Sequence, residues 1–277
     1  MIRILKKYHN LLSVKHPDIY NIIGFFINFS RKKLYPPTSG ELANILANYS
    51  NNYANTYFIQ IGSNDGISND PINKFIHAKN WRGILIEPIP ALFEKMKESY
   101  EDVKSQVEFE NCAIGAESGF MDIFKIDEKY LGKFPQIFFQ LASFNKNVIE
   151  FNLKNYPEAQ NAIISSKVPV KTIKNIIEHY KITEVNVLHI DTEGYDFDII
   201  KTIDFEICNP NIILFEHRHL THNTFLEAIS YLDKKGYILI SDSQDTLCIK
   251  KQIKSLIKKI NLQPFYWRNQ IVFSQED

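Results

Sequence analysis

The chain has 277 residues, 44% of them hydrophobic and 23% charged. That composition suits one large globular unit plus an appendage and excludes a disordered or low-complexity chain. Lysine plus arginine and aspartate plus glutamate number 32 each, so no overall field draws nucleic acid, and none is expected as a partner. Cys112, Cys208 and Cys248 lie apart without a CxxC pair, which argues against a disulfide framework or a cysteine zinc site and suits a reducing, cytoplasmic setting.

Residues 1–54 read as a helical extension. Apolar positions recur there at spacings of three and four, broken by Pro17 and by Pro36-Pro37. The start lacks the small-residue cleavage site of a secretory signal. Ile22 to Phe29 is strongly apolar but too short to span a bilayer. With Arg31, Lys32 and Lys33 directly after it, the stretch 1–35 has two readings: a helix docked on the main domain, or a peripheral membrane contact. Thr38 or Ser39 is placed to cap a helix from Glu41 to Tyr49.

From residue 55 to 251 strands and helices alternate. A first strand over 56–62 is followed by a helix beginning at Asp70-Pro71, with aspartate as cap and proline in the first turn. A second strand, 83–87, leads to a helix from Pro90 to about Tyr100, and a third strand covers 106–114. Gly119 to Ile126 alternates like a hairpin arm or edge strand. Residues 127–167 are irregular and rich in aromatic rings, which fits a lid over the site or aromatic residues fastening an extra helix to the core. Leu141 to Phe144 is the part of it best placed to reach the site. A helix over 172–180, a strand over 185–191, a helix near 196–204, a strand from Asn211 to Glu216 and a helix over 224–235 follow. Strands at 236–241 and 246–251, joined by a short polar turn, must be antiparallel. The tail, 252–277, is basic and then aromatic and receives no role. Near-continuous apolar strands separated by helices imply a parallel sheet covered on both faces.

Within this frame, Tyr57 to Ile61 runs into the turn Gly62-Ser63-Asn64-Asp65-Gly66, and the second strand ends on Glu87. Strand, glycine turn, helix, strand, acid is how an open α/β sheet holds a ribose-bearing cofactor. Glycine lets the backbone approach a ligand or take positive φ, and a carboxylate can hold both ribose hydroxyls. The bland reading is an ordinary strand-to-helix turn followed by a surface acid. A nicotinamide dehydrogenase shares the acid but needs a middle and a third glycine, where Asn64 and Ile67 stand here. At the other strand ends, Asp191 and Glu193 leave one strand and Glu216, His217, Arg218 and His219 the next. Carboxylates and imidazoles there could take a proton or hold a divalent ion, and equally could cap helices or pair with neighbouring cations. His189, inside a strand, reads as a satisfied core histidine.

Together with Gly62 to Gly66, the runs Ile86-Glu87-Pro88, Asn111 to Gly115, Ile190 to Gly194 and Phe215-Glu216-His217 resemble, in order and spacing, the FkbM family of S-adenosylmethionine-dependent methyltransferases. The resemblance covers roughly residues 56–250. It implies an α/β fold with the Rossmann-like class I methyltransferase sheet, mostly parallel with a C-terminal antiparallel strand pair, beside the N-terminal helical extension. It further implies S-adenosylmethionine held by Gly62, Ser63, Asn64, Asp65, Gly66, Glu87, Pro88, Asn111, Cys112 and Ala113. Asp191, Glu193, His217 and His219 become the candidate catalytic residues, and Asp191, Glu216 and His217 a candidate magnesium set. The expected activity is O-methylation of a sugar, glycan or other small polyhydroxylated acceptor. The alternatives are a catalytically silent scaffold of the same fold and a nicotinamide-dependent oxidoreductase.

Overall fold

A computed structural model describes residues 41–253, 265–267 and 270–272. The expectations for residues 1–40, including the membrane contact and the caps at Thr38 or Ser39, lie outside the described residues, as does most of the tail.

In chain order the elements are α1 (Glu41–Asn52), β1 (Tyr57–Ile61), α2 (Asn73–Lys79), β2 (Arg82–Ile86), α3 (Pro90–Ser99), β3 (Val107–Glu110), β4 (Ala113–Ile114) and β5 (Gly119–Ile126). They continue with β6 (Ala142–Ser143), α4 (Lys146–Asn152), α5 (Pro157–Gln160), β7 (Ile163–Lys171), α6 (Ile173–Tyr180), β8 (Val187–Ile190) and α7 (Asp196–Lys201). Last come β9 (Ile212–Glu216), α8 (His222–Lys234), β10 (Tyr237–Ser241), β11 (Asp245–Lys250) and a short antiparallel pair, β12 (Phe265–Trp267) with β13 (Gln270–Val272).

Seven strands form the main sheet in the order β10-β11-β9-β8-β1-β2-β3. Neighbours from β3 to β9 are parallel, whereas β11 runs antiparallel to both β9 and β10. This is the mostly parallel sheet with a closing antiparallel pair that the strand pattern implies. The chain moves from β1 to β2 on one side and later reaches β8 on the other. The carboxyl end of β1 is therefore a switch point, where open α/β sheets leave a crevice for ligand.

Both faces of the sheet are covered, and for that reason its strands are apolar on both sides. One face packs Ile59, Ile61, Leu188, Ile213 and Phe215 against α6, α7 and α8; the other packs Phe58, Leu85, Val187 and Leu214 against α1, α2 and α3. In α1, Ile45, Leu46 and Tyr49 are fully buried in that second core. Asn211 Nδ2 donates to Tyr49 Oη (2.9 Å) and Trp81 Nε1 to Ser50 Oγ (3.1 Å), so polar bonds also tie α1 down. Helix α1, which the sequence pattern groups with the extension, is thus continuous with the core of the strand–helix unit.

Three expectations need correction. The strand drawn over 106–114 is two strands: β3 belongs to the main sheet and β4 pairs with β7 in a second sheet ordered β4-β7-β5-β6. Asn111 marks the break, its Nδ2 donating to the Glu87 carbonyl at 2.8 Å. The region 127–167 is not structureless, because β7 starts at Ile163 and lines the full length of β5. Its alternate residues Ser165, Lys167 and Pro169 are exposed, and proline within the run disguises a strand. Lastly, the helix after the first strand begins at Asn73, not at Asp70-Pro71. The Asp70 carboxylate still serves it, accepting from the Ile72 and Asn73 amides at 2.8 and 3.0 Å.

The aromatic segment before β7 has a small core of its own, with Ile126, Phe138, Ile149, Leu153 and Ala162 buried and Tyr130, Phe134 and Phe139 packed beside them. Most of its rings therefore fasten α4 and α5 to the second sheet. No helix among the described residues is long and apolar enough to cross a membrane.

Candidate active site

A cleft opens at the carboxyl ends of β1, β2 and β8. It is lined by Gly62, Asn64, Glu87, Pro88, Cys112, Ala113, Asp191 and Glu193, which the sequence singles out, and also by Ile61, Ile114, Ile123, Gln140, Ala142, Phe144 and Thr192. Its empty space, open mouth included, is about 620 Å³.

One end is organised by Glu87. The residue is 4% exposed. Its Oε2 accepts from the Asn64 amide at 2.9 Å and its Oε1 from the Ile89 amide at 2.8 Å. The carboxylate thus clamps the glycine turn to the end of β2 and keeps one lone pair per oxygen for a ligand. Burial pushes its pKa up to about 7; the Ile89 and Asn64 amides oppose that rise and Asp65 adds to it.

The turn itself is built by four devices. Gly62 has φ +79°, and a Cβ there would lie 1.7 Å from the Asp191 carbonyl oxygen. Gly66 has φ +76°, and a Cβ there would meet the Tyr100 ring at 2.6 Å. Both glycines are thus required by packing within the protein and not only by ligand approach. Asn64 takes φ +51°, a left-handed conformation that asparagine tolerates. Ser63 is buried, with Oγ donating to the Gln60 carbonyl (3.3 Å) and accepting from the Ile86 amide (3.1 Å).

Asp65 also faces away from the cleft. It accepts from the Ile67 and Ser68 amides, from Ser68 Oγ and from Gln140 Nε2 at 2.7 to 3.0 Å. Burial alone would raise its pKa, but the Ser68 and Ile67 hydrogen bonds outweigh it and hold the carboxyl below its ordinary range. Of the proposed cofactor contacts, then, Gly62, Asn64, Glu87, Pro88, Cys112 and Ala113 line the cleft. Ser63, Asp65, Gly66 and Asn111 stand behind that wall and shape it. The Cys112 thiol is pushed up to about 12 by burial and then by Glu110, so it serves as apolar lining and not as a nucleophile.

The other end is acidic. Asp191 follows β8 and Glu193 sits two residues on, at φ +52°, a left-handed conformation that costs a non-glycine residue about 1–2 kcal/mol. Burial pushes the Asp191 carboxyl well above its usual range, and Asp196, Glu193, Asp245 and Asp70 push the same way. Glu216, 8% exposed, is raised by burial and then by Asp191, Glu193, Asp196 and Asp245. His219 lies against this group, its Nε2 2.9 Å from Glu193 Oε2 and 3.5 Å from Glu216 Oε2.

His217 does not join them. It is fully buried, its ring stacks on Phe225 at 4.5 Å between centroids, and its Nδ1 is 2.9 Å from Thr246 Oγ1. Successive strand residues face opposite sides, so the residue after Glu216 turns to the α8 side of the sheet. Burial lowers its pKa to about 3. Of the two imidazoles considered as base, only His219 sits at the acidic end. The expected metal set of Asp191, Glu216 and His217 is corrected likewise: the donor atoms that converge belong to Glu193, Glu216 and His219, all within 4.8 Å of one another. His189 is a core histidine, lowered to about 4 by burial, but its Nδ1 has no hydrogen-bond partner.

Two contributors escape sequence reasoning. Asp196, fully buried, accepts from Thr192 Oγ1 and the Gly194 amide on Oδ2 and from the Glu216 amide on Oδ1, at 3.1 to 3.2 Å. Gln140 closes the cleft from the aromatic segment: its carbonyl accepts from Asn64 Nδ2 at 3.4 Å and its side chain reaches Asp65. The sequence held a faint signal for the first, an acid opening a helix after Asp-x-Glu-Gly, and none for the second. Leu141 to Phe144 does reach the site, through Ala142 and Phe144 on the wall and Ser143 Oγ donating to the Glu193 carbonyl at 2.7 Å.

Comparison with known families adds the decisive observation: residues 60–239, well over half of the chain, match the methyltransferase FkbM domain. The chain belongs to the FkbM methyltransferase family. Among solved structures, the FkbM methyltransferase of Methylobacillus flagellatus KT aligns with 71% of this chain and 44% of its own, at 13% identity and a TM-score of 0.46. This chain thus spans under half the length of that relative. A methyltransferase from Geobacter sulfurreducens aligns over 88% of this chain and 96% of its own (11% identity, TM-score 0.39). The O-methyltransferase of Bacillus cereus, solved with SAH, aligns over 90% and 100% (10% identity, TM-score 0.39). Curated protein sequences give no significant match. FkbM membership accords with the sheet order and with an acid-ended second strand beside a glycine turn.

Proposed function

We propose that this FkbM-family chain binds S-adenosylmethionine and methylates a hydroxyl of a sugar, glycan or similar small polyhydroxylated acceptor in the cytoplasm. The observation that carries the reading is Glu87, a buried carboxylate at the switch point that lines the cleft and retains acceptor capacity on both oxygens. Such an acid inside a wall of Ile61, Ile114, Ile123 and Ala113 suits a ligand with an apolar base and a vicinal diol.

When bound, S-adenosylmethionine supplies a methyl group on a sulfonium leaving group. Glu87 would hold the ribose hydroxyls and the apolar wall the adenine, leaving the acidic end for the acceptor. There a carboxylate of Asp191 or Glu193 accepts the hydroxyl proton, with His219 beside Glu193 to share it. General-base help of this kind contributes about 10²–10⁴-fold. Fixing donor and acceptor in one cleft can supply on the order of 7–11 kcal/mol. Phe144, whose ring meets Tyr195 edge-on at 5.0 Å, offers an aromatic face beside that end, a surface on which sugar rings stack.

Calorimetry with S-adenosylmethionine and transfer of labelled methyl groups to sugars, nucleotide sugars and lipid-linked glycans test the proposal. Asp191→Ala should keep cofactor binding and lose transfer. Absence of binding at millimolar cofactor would end it, and binding without transfer to any acceptor would favour the silent scaffold.

A further inference from the structure

Glu193, Glu216 and His219 reach one point from two different strand ends. Glu193 stands on the left-handed bend after β8, Glu216 is the last residue of β9, and His219 follows three positions later. His219 Nε2 lies within hydrogen-bonding range of Glu193 Oε2, at 2.9 Å, yet Glu193 Oε2 and Glu216 Oε2 are both buried without a hydrogen-bond partner. A buried carboxylate oxygen lacking a donor costs at least ~1–3 kcal/mol, and here two of them flank one imidazole. Glu216 is 8% exposed.

The spacing has a simple geometric meaning. Ligands bonded to one ion at ~2.1 Å and at right angles lie ~3.0 Å apart, and the two His219 contacts, 2.9 and 3.5 Å, bracket that value. An imidazole aimed at a shared centre points about 45° away from each neighbouring ligand of an octahedron. Such a ring approaches both oxygens closely without forming a straight N–H···O bond to either.

We propose that Glu193, Glu216 and His219 form a binding site for one divalent cation of the manganese type, at the acidic end of the cleft. Two carboxylates favour a hard cation, and the imidazole favours a transition ion over calcium. In the tautomer with its proton on Nδ1, His219 offers Nε2 as the third ligand. The three donor atoms all lie within 4.8 Å of one another, and Glu193 also lines the cleft. The proposal stands apart from the cofactor reading, since it requires only the ion; with the ion bound, Asp191 is the carboxylate left to accept the proton.

The test uses the full chain, freed of metal with a chelator and titrated with manganese(II) chloride while free manganese is followed by electron paramagnetic resonance. The expected result is saturable binding of about one ion per chain, weakened at least tenfold in Glu216→Gln and His219→Ala. Pulsed spectra of the bound ion should show a directly coordinated nitrogen that His219→Ala removes. Glu158→Gln, at an exposed glutamate distant in sequence from both turns, should bind as the wild type does. If Glu216→Gln does not fold, Glu193→Gln, at a less buried position, decides in its place. Absence of saturable binding up to millimolar manganese, or wild-type affinity and an unchanged nitrogen signal in His219→Ala, would overturn the site.

Discussion

Lowering the pH from 8 to 6 should weaken cofactor binding through Glu87. Its carboxyl is raised from 4.5 to about 7, chiefly by burial, so in the empty protein it is about nine-tenths ionised at pH 8 and about nine-tenths protonated at pH 6. Two ribose hydroxyls donating to the carboxylate favour the ionised form. The fraction competent to bind therefore falls about tenfold between these pH values, and Kd rises by the same factor. Calorimetry in two buffers of different ionisation enthalpy should register release of nearly one proton per cofactor at pH 6 and about a tenth of one at pH 8. In Glu87→Gln the affinity should be lower at pH 8 and flat across the range. The empty protein shows the opposite face of the same linkage. The raised pKa means that the folded state binds more protons than the unfolded chain between pH 4.5 and 7. The resulting stabilisation, up to about 3 kcal/mol, is full below 4.5 and is lost as pH rises through 7. A wild-type Kd unchanged between pH 8 and 6, or proton uptake on binding, would refute the assignment of Glu87 to the ribose.

Gly62→Ala should fold poorly or lose more than about 3 kcal/mol in denaturant titration, because its Cβ would collide with a backbone oxygen of the neighbouring strand, which no rotamer change relieves. Glu193→Gly should be about 1 kcal/mol more stable than Glu193→Ala by the same measurement, since both remove the carboxylate but only glycine takes φ +52° freely; equal stabilities would mean that the bend relaxes. Leu46→Ala, in the core face of α1, should cost about 2–5 kcal/mol in one cooperative transition, whereas an effect near zero would mean that the helix is a detachable appendage. Asp196→Asn should retain cofactor affinity but lower methyl transfer about tenfold or more, because the amide turns one of the two acceptor oxygens into a donor, facing either Thr192 and Gly194 or the Glu216 amide, all of which donate.

What could be read in advance follows from where the information lies. Strands buried on both faces spell themselves out as apolar runs, so β1, β2, β8 and β9 are legible within a residue or two of their ends. Glu87 and Asp191 are legible too, because an acid ending an apolar strand has few structural explanations. The second sheet is not: β7 buries residues on one face only, and Pro169 hides it. The division of labour inside Gly62 to Gly66 was equally out of reach. Gly66 is required by the Tyr100 ring, and Asp65 turns away to Gln140, two partners far along the chain that no local pattern announces. His217 and His219 look interchangeable in sequence. They separate only once β9 ends and strand alternation sends the first of them to the α8 side.

Asp196 explains why the acidic end holds its shape despite the repulsion within it. Asp191, Glu193 and Asp245 all push the Glu216 carboxyl up, and Glu193 and Asp245 do the same to Asp191, so without a counterforce the turns bearing them would spread. Asp196 supplies one by taking donors from the turn after β8 and from the last amide of β9 on its two oxygens. It thereby fixes Glu193 and Glu216 relative to each other through backbone rather than through side chains. Burial drives its own carboxyl up to about 7, yet its hydrogen bonds favour the charged form. The acid that sets the geometry of the site thus does not line the cleft, and the side chains left facing inward keep their unpaired oxygens for whatever the cleft admits.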